Sequence, residues 1–452
     1  MKNKFKNKNV LIMGMGKSGQ SSLQLLNKLD AFCYIYDKDV EKLKEIQYRD
    51  ANIITNISEE IIKVMDYIII SPGVSIYDEH IKLAKLFGVE VISELELGCM
   101  FAKGNLIGIT GTNGKTTTCS LVHHILKNSN KLSMLCGNIG EPLTENLLPF
   151  NSNYVVEMSS FQLESLQKIR PHIAAITNIT PNHLDRHLSF ENYVSAKFNI
   201  FKNMTKSDWL ILNYDDKNLR EINKHQVKSK IVFVSLFNKI DGFFVKNHEV
   251  YYKKHKKIKK IVNLYNIKLL GKHNIQNILI AVAVCKILKI KNQNIQKAID
   301  SFEPIKHRLQ FVKNVNGVDF VNDSKSTSPD STITAIKSFD KKTIILILGG
   351  SDKNTSFDLL AKRLSKSKNL KYIVVCGATS KKIIKSLKKY GIKTFKETTS
   401  FNDAVMLANN LATDGDVVLL SPACASFDFF KCYEERGETF EKIVQSIYSQ
   451  EE

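Results

Sequence analysis

A strand, a glycine-rich turn and the start of a helix are predicted by the segment Ile107-Gly108-Ile109-Thr110-Gly111-Thr112-Asn113-Gly114-Lys115-Thr116-Thr117. Backbone N–H groups at such a helix start can surround phosphate oxygens. Lys115 adds a positive charge for the β- and γ-phosphates, and the Thr116 hydroxyl can ligate Mg²⁺. The strict pattern has glycine where this chain has Ile109. We therefore interpret the segment as a variant P-loop that binds a nucleoside triphosphate.

The length and composition are typical of a globular protein with several domains. The chain has 452 residues, of which 43% are hydrophobic and 24% charged, and this length predicts about three domains. No apolar run approaches the ~18–20 residues that a membrane helix needs. The apolar stretch after the basic segment Met1–Asn9 ends at Gly14, too soon for a signal-peptide core. We expect no export and a cytoplasmic location.

The cysteines and the net charge narrow the class of protein further. The 8 cysteines are scattered without a Cys-x-x-Cys pair, which predicts reduced core thiols rather than a disulfide or zinc framework. The net charge of +20 fits nucleic-acid binding, a lysine-rich solvated surface, or attraction of polyanionic small substrates. Lysine clusters such as Tyr251–Lys257 lack a recognisable nucleic-acid module. We favour the solvated surface, with a contribution from the substrates.

Apolar strands that end in glycine recur along the chain, each followed by a stretch of helical periodicity. They are Val10–Met13, Leu106–Ile109, Ile344–Leu348 and Tyr372–Val375. This alternation predicts an α/β fold with parallel, doubly wound sheets and ligands at the carboxyl ends of the strands. We predict three domains, residues 1–95, 96–303 and 304–452. The middle domain has short alternating runs between Val232 and Asn263 that predict added antiparallel strands.

A second glycine-rich turn, Gly14-Met15-Gly16-Lys17-Ser18-Gly19, follows the first strand, and Asp37 ends the next one. Taken alone, this pattern is a dinucleotide fingerprint with Asp37 on a ribose hydroxyl, as in an NAD-dependent oxidoreductase. Any nucleotide diphosphate could use the same turn, and a structural turn without a ligand is the other alternative. The loop Ser71-Pro72-Gly73, directly after the strand Tyr67–Ile70, could border the same ligand.

Polar residues follow two further strands of the middle domain. Glu157 ends a short apolar strand, where it is either a Mg²⁺ ligand or an ordinary surface carboxylate. His183 follows the strand Ile173–Thr177 within a polar cluster, and it is equally a structural residue or a ligand. Lys197 lies in the helical stretch Tyr193–Phe201, and by itself it is interpreted as solvated.

The third domain has two clusters of small polar residues at strand ends. Asn322–Ser328 follows the strand Val318–Val321, and Ser421–Asp428 follows Val417–Leu420. Both suit a polar ligand, although ordinary loops have similar composition. The pair His307-Arg308 could reach phosphates when domains close.

Taken together, these segments resemble the Mur ligase family, cytoplasmic ATP-dependent amide ligases of peptidoglycan assembly. The shared segments occur in family order across almost the whole chain: Gly111–Thr116, Gly137–Gly140, Glu157–Leu163, Asn182–Arg186, Gly271–Asn274, His307-Arg308 and Asn322–Lys325. Three more resemble the branch that adds D-glutamate to UDP-N-acetylmuramoyl-L-alanine: Gly14–Gly19, Ser71-Pro72-Gly73, and Ser421–Asp428 with Arg436-Gly437.

The resemblance implies a Rossmann-like N-terminal domain for the UDP-sugar, a central P-loop domain for ATP and a Rossmann-like C-terminal domain for the amino acid. The substrate carboxylate would attack the γ-phosphate to give an acyl phosphate, which the D-glutamate amine then attacks. The resemblance therefore implies that the turn Gly14–Gly19 binds the UDP-sugar and that its interpretation as an NAD site is wrong. We also expect a monomer with no nucleic-acid or membrane partner.

The resemblance also implies roles for individual residues. The catalytic set is Lys115, Asn138, His183 and Lys197, with Asn138 orienting the acyl-phosphate oxygens. Two Mg²⁺ ions would be held by Thr116, Glu157, His183 and Lys197, the last carbamylated by CO₂. ATP contacts would come from Gly111, Thr112, Asn113, Gly114, Lys115, Thr116, Thr117, Asn274, Asn277, Arg308 and Asp323. Substrate contacts would come from Gly14, Met15, Gly16, Lys17, Ser18, Gly19, Asp37, Lys38, Ser71, Pro72, Gly73, Asn138, Ser159, Gln162 and Arg186. The D-glutamate contacts would be Lys325, Thr327, Lys353, Ser426, Phe427 and Tyr433.

Four positions depart from the family pattern. Asn182 replaces the usual acidic residue before the motif histidine, and Ser328 replaces a common asparagine. Phe427 and Tyr433 replace other apolar residues at the amino-acid pocket.

Four other functions are alternatives to a D-glutamate-adding ligase. Another Mur ligase or a folylpolyglutamate synthase is the nearest, and the cluster Ser421–Asp428 argues against both. A dinucleotide-dependent oxidoreductase would leave Lys115, Glu157 and His183 unused. A basic nucleic-acid-binding ATPase would explain the charge, but the chain lacks a binding module.

Overall fold

The computed structural model describes residues 4–44, 51–269, 271–339, 342–352 and 355–448. It contains three β-sheets in two compact units, residues 1–267 with 274–301, and residues 268–273 with 302–452. The α/β class predicted from the alternating strands and helices is confirmed. Within the described residues, no helix is both long and apolar enough to cross a membrane.

The first sheet has five parallel strands in the order β3-β2-β1-β4-β5. Apolar runs such as Tyr67–Ile70 form its centre, because helices cover parallel strands on both faces. The strands are β1 (Asn9–Met13), β2 (Phe32–Tyr36), β3 (Asn52–Ile53), β4 (Tyr67–Ile70) and β5 (Glu90–Ser93). The helices are α1 (Lys17–Lys28), α2 (Glu41–Lys44), α3 (Glu59–Lys63), α4 (Glu79–Leu86) and α5 (Glu94–Phe101).

The second sheet has nine strands in the order β14-β13-β12-β11-β10-β9-β6-β8-β7. They are β6 (Gly104–Thr110), β7 (Ser133–Gly137), β8 (Ser152–Glu157), β9 (Ile173–Ile176), β10 (Trp209–Asn213), β11 (Lys230–Ser235), β12 (Gly242–Lys246), β13 (Glu249–Lys254) and β14 (Lys257–Asn263). The helices are α6 (Lys115–Asn128), α7 (Ser160–Glu164), α8 (Leu184–His187), α9 (Phe190–Phe198), α10 (Lys217–Arg220), α11 (Lys272–Ile287) and α12 (Asn292–Ser301). A 3-10 helix, Leu143–Glu145, follows β7.

The predicted antiparallel region is smaller than expected. Strand β11 pairs parallel with both β10 and β12, and only β12, β13 and β14 run antiparallel. The connection from β10 to β11 is long enough to return the chain to the same end of the sheet. Antiparallel pairing starts at the tight turn Asn247-His248, whose φ angles of +51° and +57° suit a hairpin.

The third sheet has six strands in the order β15-β16-β20-β17-β18-β19. All neighbours are parallel except the hairpin β15–β16, which turns at Asn316-Gly317. The strands are β15 (Gln310–Val315), β16 (Val318–Asn322), β17 (Ile344–Gly349), β18 (Leu370–Cys376), β19 (Phe395–Glu397) and β20 (Val417–Leu420). The helices are α13 (Pro329–Ile336), α14 (Asp358–Leu364), α15 (Ser380–Lys389), α16 (Phe401–Leu411) and α17 (Tyr433–Tyr448).

Candidate active site

The glycine-rich turn lies between β6 and α6, as the sequence predicts. Gly111 and Gly114 have φ angles of +145° and +84°, and an added Cβ on Gly111 would lie 1.9 Å from Thr177 Oγ1. The Lys115 ammonium donates to the carbonyl oxygens of Gly111 and Thr112 at 3.0 and 2.9 Å. The first N–H groups of α6 and one ammonium therefore meet at the same point, which suits a polyphosphate.

The segment after β9 holds this turn in place. Asn113 donates its N–H to Asn178 Oδ1 at 3.0 Å, and its carbonyl accepts the Thr177 hydroxyl at 2.6 Å. The Thr112 hydroxyl lies 3.0 Å from the hydroxyl of the buried Tyr193. The turn conformation is thus fixed by its neighbours, which reduces the ordering cost of ligand binding.

Glu157 ends β8 and is only 2% exposed. Its Oε2 accepts the Thr116 hydroxyl at 2.9 Å, and its Oε1 accepts Asn138 Nδ2 at 2.8 Å. A hydroxyl and a carboxylate beside a phosphate-binding turn are the oxygen ligands that Mg²⁺ prefers. Among the described residues, no group of three or more His, Cys, Asp and Glu side chains could hold a metal. An ion here would take its other ligands from phosphate oxygens and water.

Lys197 is buried, so its interpretation as a solvated residue is wrong. It shares one face of α9 with Tyr193, is 1% exposed, and donates to the carbonyl oxygen of Gly111 at 2.8 Å. Burial and the nearby Lys115 ammonium lower the pKa of Lys197 well below its ordinary value, against the opposing effect of Glu157. Burial and Lys115 thus both disfavour the charged ammonium form of Lys197.

His183 directly precedes α8 and Arg186 lies on that helix, and both contact Phe161. The rings of His183 and Phe161 meet edge to face at 5.0 Å, and the Arg186 guanidinium lies 4.0 Å from the centre of the Phe161 ring. Arg186 Nη1 also donates to the carbonyl oxygen of Pro72 at 3.4 Å. Arg186 thus links the central sheet to the predicted substrate loop of the first sheet.

Two predicted substrate contacts, Ser159 and Gln162, form a capping box at the start of α7. The Ser159 N–H donates to Gln162 Oε1 at 2.9 Å, and the Gln162 N–H donates to Ser159 Oγ at 3.2 Å. Next to them, the sequence interpretation missed His187, whose Nε2 lies 3.0 Å from Ser160 Oγ and Nδ1 2.9 Å from Glu164 Oε1. His187 is buried, at 3% exposure, and it therefore holds α8 against α7.

Helix α11 brings two predicted ATP contacts to the turn. Asn274 and Asn277 are buried, and Asn277 Nδ2 donates to Asn274 Oδ1 at 3.0 Å. A Cβ on Gly114 would lie 2.3 Å from Asn277 Oδ1. Asn277 therefore packs directly against the backbone of the phosphate-binding turn.

A cavity of about 480 Å³ opens at the carboxyl ends of β1, β2 and β4. The predicted substrate residues that line it are Gly14, Gly16, Lys17, Ser18, Asp37, Lys38, Ser71, Pro72 and Gly73. Two other predicted substrate residues, Met15 and Gly19, lie behind the cavity wall. The Met15 side chain is fully buried, and a Cβ on Gly19 would lie 2.0 Å from the carbonyl oxygen of Gly14. Met15 and Gly19 shape the turn from its inner side.

Asp37 holds the turn that borders this cavity. Its Oδ2 accepts the N–H of Met15 at 2.6 Å, and its Oδ1 accepts the N–H of Asp39 at 2.9 Å. Both carboxylate oxygens are therefore engaged by the backbone, which weakens the ribose role in the dinucleotide interpretation. The Lys17 and Lys38 side chains are exposed by 77% and 79%. With the start of α1, they make the cavity suitable for a diphosphate.

The second unit contains Arg308 and Asp323. Asp323 is buried, and its Oδ2 accepts the Ser421 hydroxyl at 2.7 Å, while Oδ1 accepts the N–H of Leu309 at 3.2 Å. Burial raises the pKa of Asp323 to about 6, opposed by hydrogen bonds and by Arg308. Within the described part of the chain, the buried Arg308 Nε has no hydrogen-bond partner. That orphaned donor fits the anionic contact that the resemblance implies.

The loops after β16 and β20 come together around a buried cation. Arg436 is 2% exposed. Its guanidinium donates to the Ser324 hydroxyl and carbonyl at 3.0 and 2.9 Å, and to the carbonyls of Ala425 and Cys424, each at 3.1 Å. Arg436 therefore fixes both predicted amino-acid loops to each other.

Of the predicted D-glutamate contacts, Lys325, Thr327, Ser426 and Phe427 lie on these loops, and Tyr433 begins α17. The Lys325 ammonium is 5.2 Å from the centre of the Tyr433 ring, and Thr327 donates its N–H to the carbonyl of Lys325 at 3.0 Å. Ser426 is buried, whereas Phe427 is 69% exposed. Lys353 lies outside the described residues.

Three family models match the chain, one on each predicted domain. The Mur ligase MurD-like N-terminal domain matches residues 8–93, the Mur ligase middle domain residues 109–285, and the Mur ligase glutamate ligase domain residues 307–424. Two curated relatives are UDP-N-acetylmuramoylalanine–D-glutamate ligases. That of Koribacter versatilis is 40% identical over 98% of both chains. That of Lachnoclostridium phytofermentans is 38% identical over 98% of this chain and 99% of its own.

Solved structures share the fold at lower identity. The MurF ligase of Thermotoga maritima in complex with ADP aligns with a TM-score of 0.62 and 16% identity, covering 98% of this chain and 96% of its own. A pseudomurein peptide ligase type C from Methanothermus fervidus aligns with a TM-score of 0.61 and 20% identity, covering 98% and 100%. At these identities the likeness concerns the fold.

Proposed function

The chain belongs to the Mur ligase family, and on that premise we propose how its residues carry out the reaction. It is an ATP-dependent ligase that adds D-glutamate to UDP-N-acetylmuramoyl-L-alanine in peptidoglycan precursor synthesis. The observation that carries the site assignment is the meeting of Lys115, Thr116, Glu157, Asn138 and Lys197 around one phosphate-binding turn.

The first step joins two anions, the L-alanyl carboxylate and the γ-phosphate, so positive charge and positioning dominate the barrier. Lys115 and the N–H groups of the turn bind the β- and γ-phosphates. Asn138 orients the acyl-phosphate oxygens. When bound, Mg²⁺ neutralises charge on the transferred phosphoryl group. The carboxylate oxygen bonds to the γ-phosphorus as ADP leaves, which gives the acyl phosphate. The D-glutamate amine then attacks the acyl carbon and loses a proton, and inorganic phosphate leaves.

We assign Thr116 and Glu157 to one Mg²⁺ and His183 and Lys197 to a second. The first pair is supported by the 2.9 Å contact between hydroxyl and carboxylate. For Lys197, the support is chemical: CO₂ reacts with a neutral amine, and the pKa of this buried lysine lies well below its ordinary value. Carbamylation would turn the neutral amine into an anionic oxygen ligand, with release of one proton.

We also propose the remaining assignments. The cavity at Gly14–Ser18 binds the UDP-sugar. ATP is bound by Asn274, Asn277, Arg308 and Asp323. D-glutamate is bound by Lys325, Thr327, Lys353, Ser426, Phe427 and Tyr433. The domains span residues 1–95, 96–303 and 304–452. The enzyme works in the cytoplasm as a monomer, without nucleic-acid or membrane partners.

A coupled phosphate-release assay with ATP, Mg²⁺ and UDP-N-acetylmuramoyl-L-alanine tests this function. We expect release that depends on D-glutamate and is absent with L-lysine, meso-diaminopimelate or DNA. The Lys115→Ala variant serves as the control for contaminating ATPase. Release with one of the other three compounds, and none with D-glutamate, would reject the proposed substrate.

A further inference from the structure

A buried chain of hydrogen bonds connects the first sheet to the segment that carries Asn138. The Ser21 and Thr144 hydroxyl oxygens lie 2.6 Å apart, and Thr144 donates its hydroxyl and its N–H to Glu94 Oε1 at 2.9 and 2.8 Å. Since the single hydroxyl proton of Thr144 goes to Glu94, Ser21 is the donor to Thr144. All three side chains are buried, with exposures of 4%, 6% and 2%.

The hydrogen-bonded residues Ser21, Thr144 and Glu94, called the relay below, reach the sugar-nucleotide cavity through α1. Ser21 lies in the first turns of α1, which starts at Lys17 on the cavity wall. Glu94 is the first residue of α5, directly after β5. A Cβ on Gly98 would lie 2.7 Å from Leu143 Cγ, so glycine allows α5 to approach the 3-10 helix closely.

From Thr144, the segment that carries Asn138 leads to Glu157, the proposed Mg²⁺ ligand. Asn138 donates its N–H to the Glu157 carbonyl at 2.9 Å and its Nδ2 to Oε1 at 2.8 Å. Thr144 ends the same short segment, residues 138–144. The segment is therefore held at one end by Glu157 and at the other by Ser21 and Glu94. An exposed ion pair between Lys17 and Glu141, at 3.6 Å, joins its middle to the start of α1.

We propose that Ser21, Thr144 and Glu94 are positioning residues that hold Asn138 in register with the sugar-nucleotide domain, so that substrate binding there and phosphoryl transfer at Glu157 are energetically coupled. This inference rests on the proposed roles of Asn138 and the N-terminal cavity. None of the three residues is placed in contact with a reacting atom.

Glu96 provides a matched control on the same helix. It is also 2% exposed, and its carboxylate accepts the N–H groups of Gln167 and Lys168 at 2.9 and 2.6 Å. The two glutamates thus bind backbone donors of the central sheet in the same manner. Only Glu94 binds the segment that leads to Asn138.

The test compares Thr144→Val, Thr144→Ser, Ser21→Ala and Glu94→Gln with Glu96→Gln. Turnover is measured with saturating substrates, and calorimetry gives the affinity for a non-hydrolysable ATP analogue with and without UDP-N-acetylmuramoyl-L-alanine. Coupling between the two ligands is reciprocal, so either titration reports it. Differential scanning calorimetry gives the Tm of each variant.

Thr144→Val removes two buried hydrogen bonds, the one from Ser21 and the one to Glu94. We expect it to lower kcat at least about tenfold and to bring the coupling factor towards one. Thr144→Ser keeps the hydroxyl and should restore both. Glu96→Gln should lower Tm as much as Glu94→Gln while leaving kcat and coupling unchanged. If Thr144→Val does not fold, Ser21→Ala removes one hydroxyl and carries the same test.

Equal loss of kcat and coupling in Glu94→Gln and Glu96→Gln would overturn the inference, as would a coupling factor of one in the unmodified enzyme. Asn138→Ala separates this failure from failure of the proposed site. Full turnover in Asn138→Ala would reject the site assignment itself. If Asn138→Ala is inactive but Thr144→Val, Ser21→Ala and Glu94→Gln keep the full coupling between the two ligands, the positioning role of these three residues is rejected and the site assignment stands.

Discussion

Replacing Gly114 by alanine should destabilise the central domain and weaken ATP binding, because two costs add at this position. Gly114 has a φ of +84°, and this left-handed conformation costs a residue with a Cβ about 1–2 kcal/mol. The added Cβ would lie 2.3 Å from Asn277 Oδ1. The buried amide must then move and lose its bond to Asn274, at about 1–3 kcal/mol. Together these terms lower the free energy of unfolding by about 2–5 kcal/mol.

Gly88→Ala is the matched control for this prediction. Gly88 has a φ of +75° and no atom within 4 Å of an added Cβ, so the substitution carries the backbone cost alone, about 1–2 kcal/mol. Denaturant unfolding measures the difference between the two variants. The phosphate-release assay should show the KM for ATP raised about tenfold or more in Gly114→Ala only. Equal destabilisation of both variants, with an unchanged KM, would refute the reasoning.

Three further predictions address charged groups. Lys115→Ala should reduce phosphate release by at least about 100-fold, because the γ-phosphate loses its cationic partner; near-normal turnover in a folded variant would contradict the mechanism. Lys197→Ala should be inactive and regain part of its turnover with formate or acetate, which replace the carbamate oxygens, and no rescue in a folded variant would count against carbamylation. Burial raises the pKa of Asp323 to about 6, so its protonated form stabilises the second unit fully below about pH 4, and this stability is lost as the pH rises through about 6. The loss amounts to about 3 kcal/mol. In Asp323→Asn, the free energy of unfolding measured by denaturant between pH 4 and 7 should no longer show this loss. An unchanged pH dependence in that variant would show that another group is responsible.

Local pattern was sufficient for most of the secondary structure. The strand before the phosphate-binding turn was predicted at Leu106–Ile109 and spans Gly104–Thr110, and Val417–Leu420 was predicted with its observed bounds. Apolar runs bounded by glycine are strong signals because parallel strands are buried on both faces. Pairing direction in the region Val232–Asn263 was harder. It depends on where a connection crosses the sheet, and that information is not local.

The side chains that support the site were the least predictable. Nothing in the spacing around Lys197 distinguishes a buried lysine from a solvated one, and only the family resemblance drew attention to it. His187 and Tyr193 were missed for the same reason, although Tyr193 lies four positions before Lys197 and so on the same helix face. This four-residue spacing between Tyr193 and Lys197 was the signal in the sequence that could have indicated that the lysine is buried.

The amino-acid order alone specified the phosphate-binding turn, the strand–helix alternation and the family, because these depend on contiguous residues whose chemistry acts over one or two turns of chain. Tertiary packing alone determined that Lys197 is shielded from water, that Asp37 braces a backbone turn, and that Glu94 reaches a segment fifty residues away. Desolvation and hydrogen-bond pairing depend on which atoms surround a group. Those neighbours come from distant parts of the chain and are set only when the sheets and helices have packed.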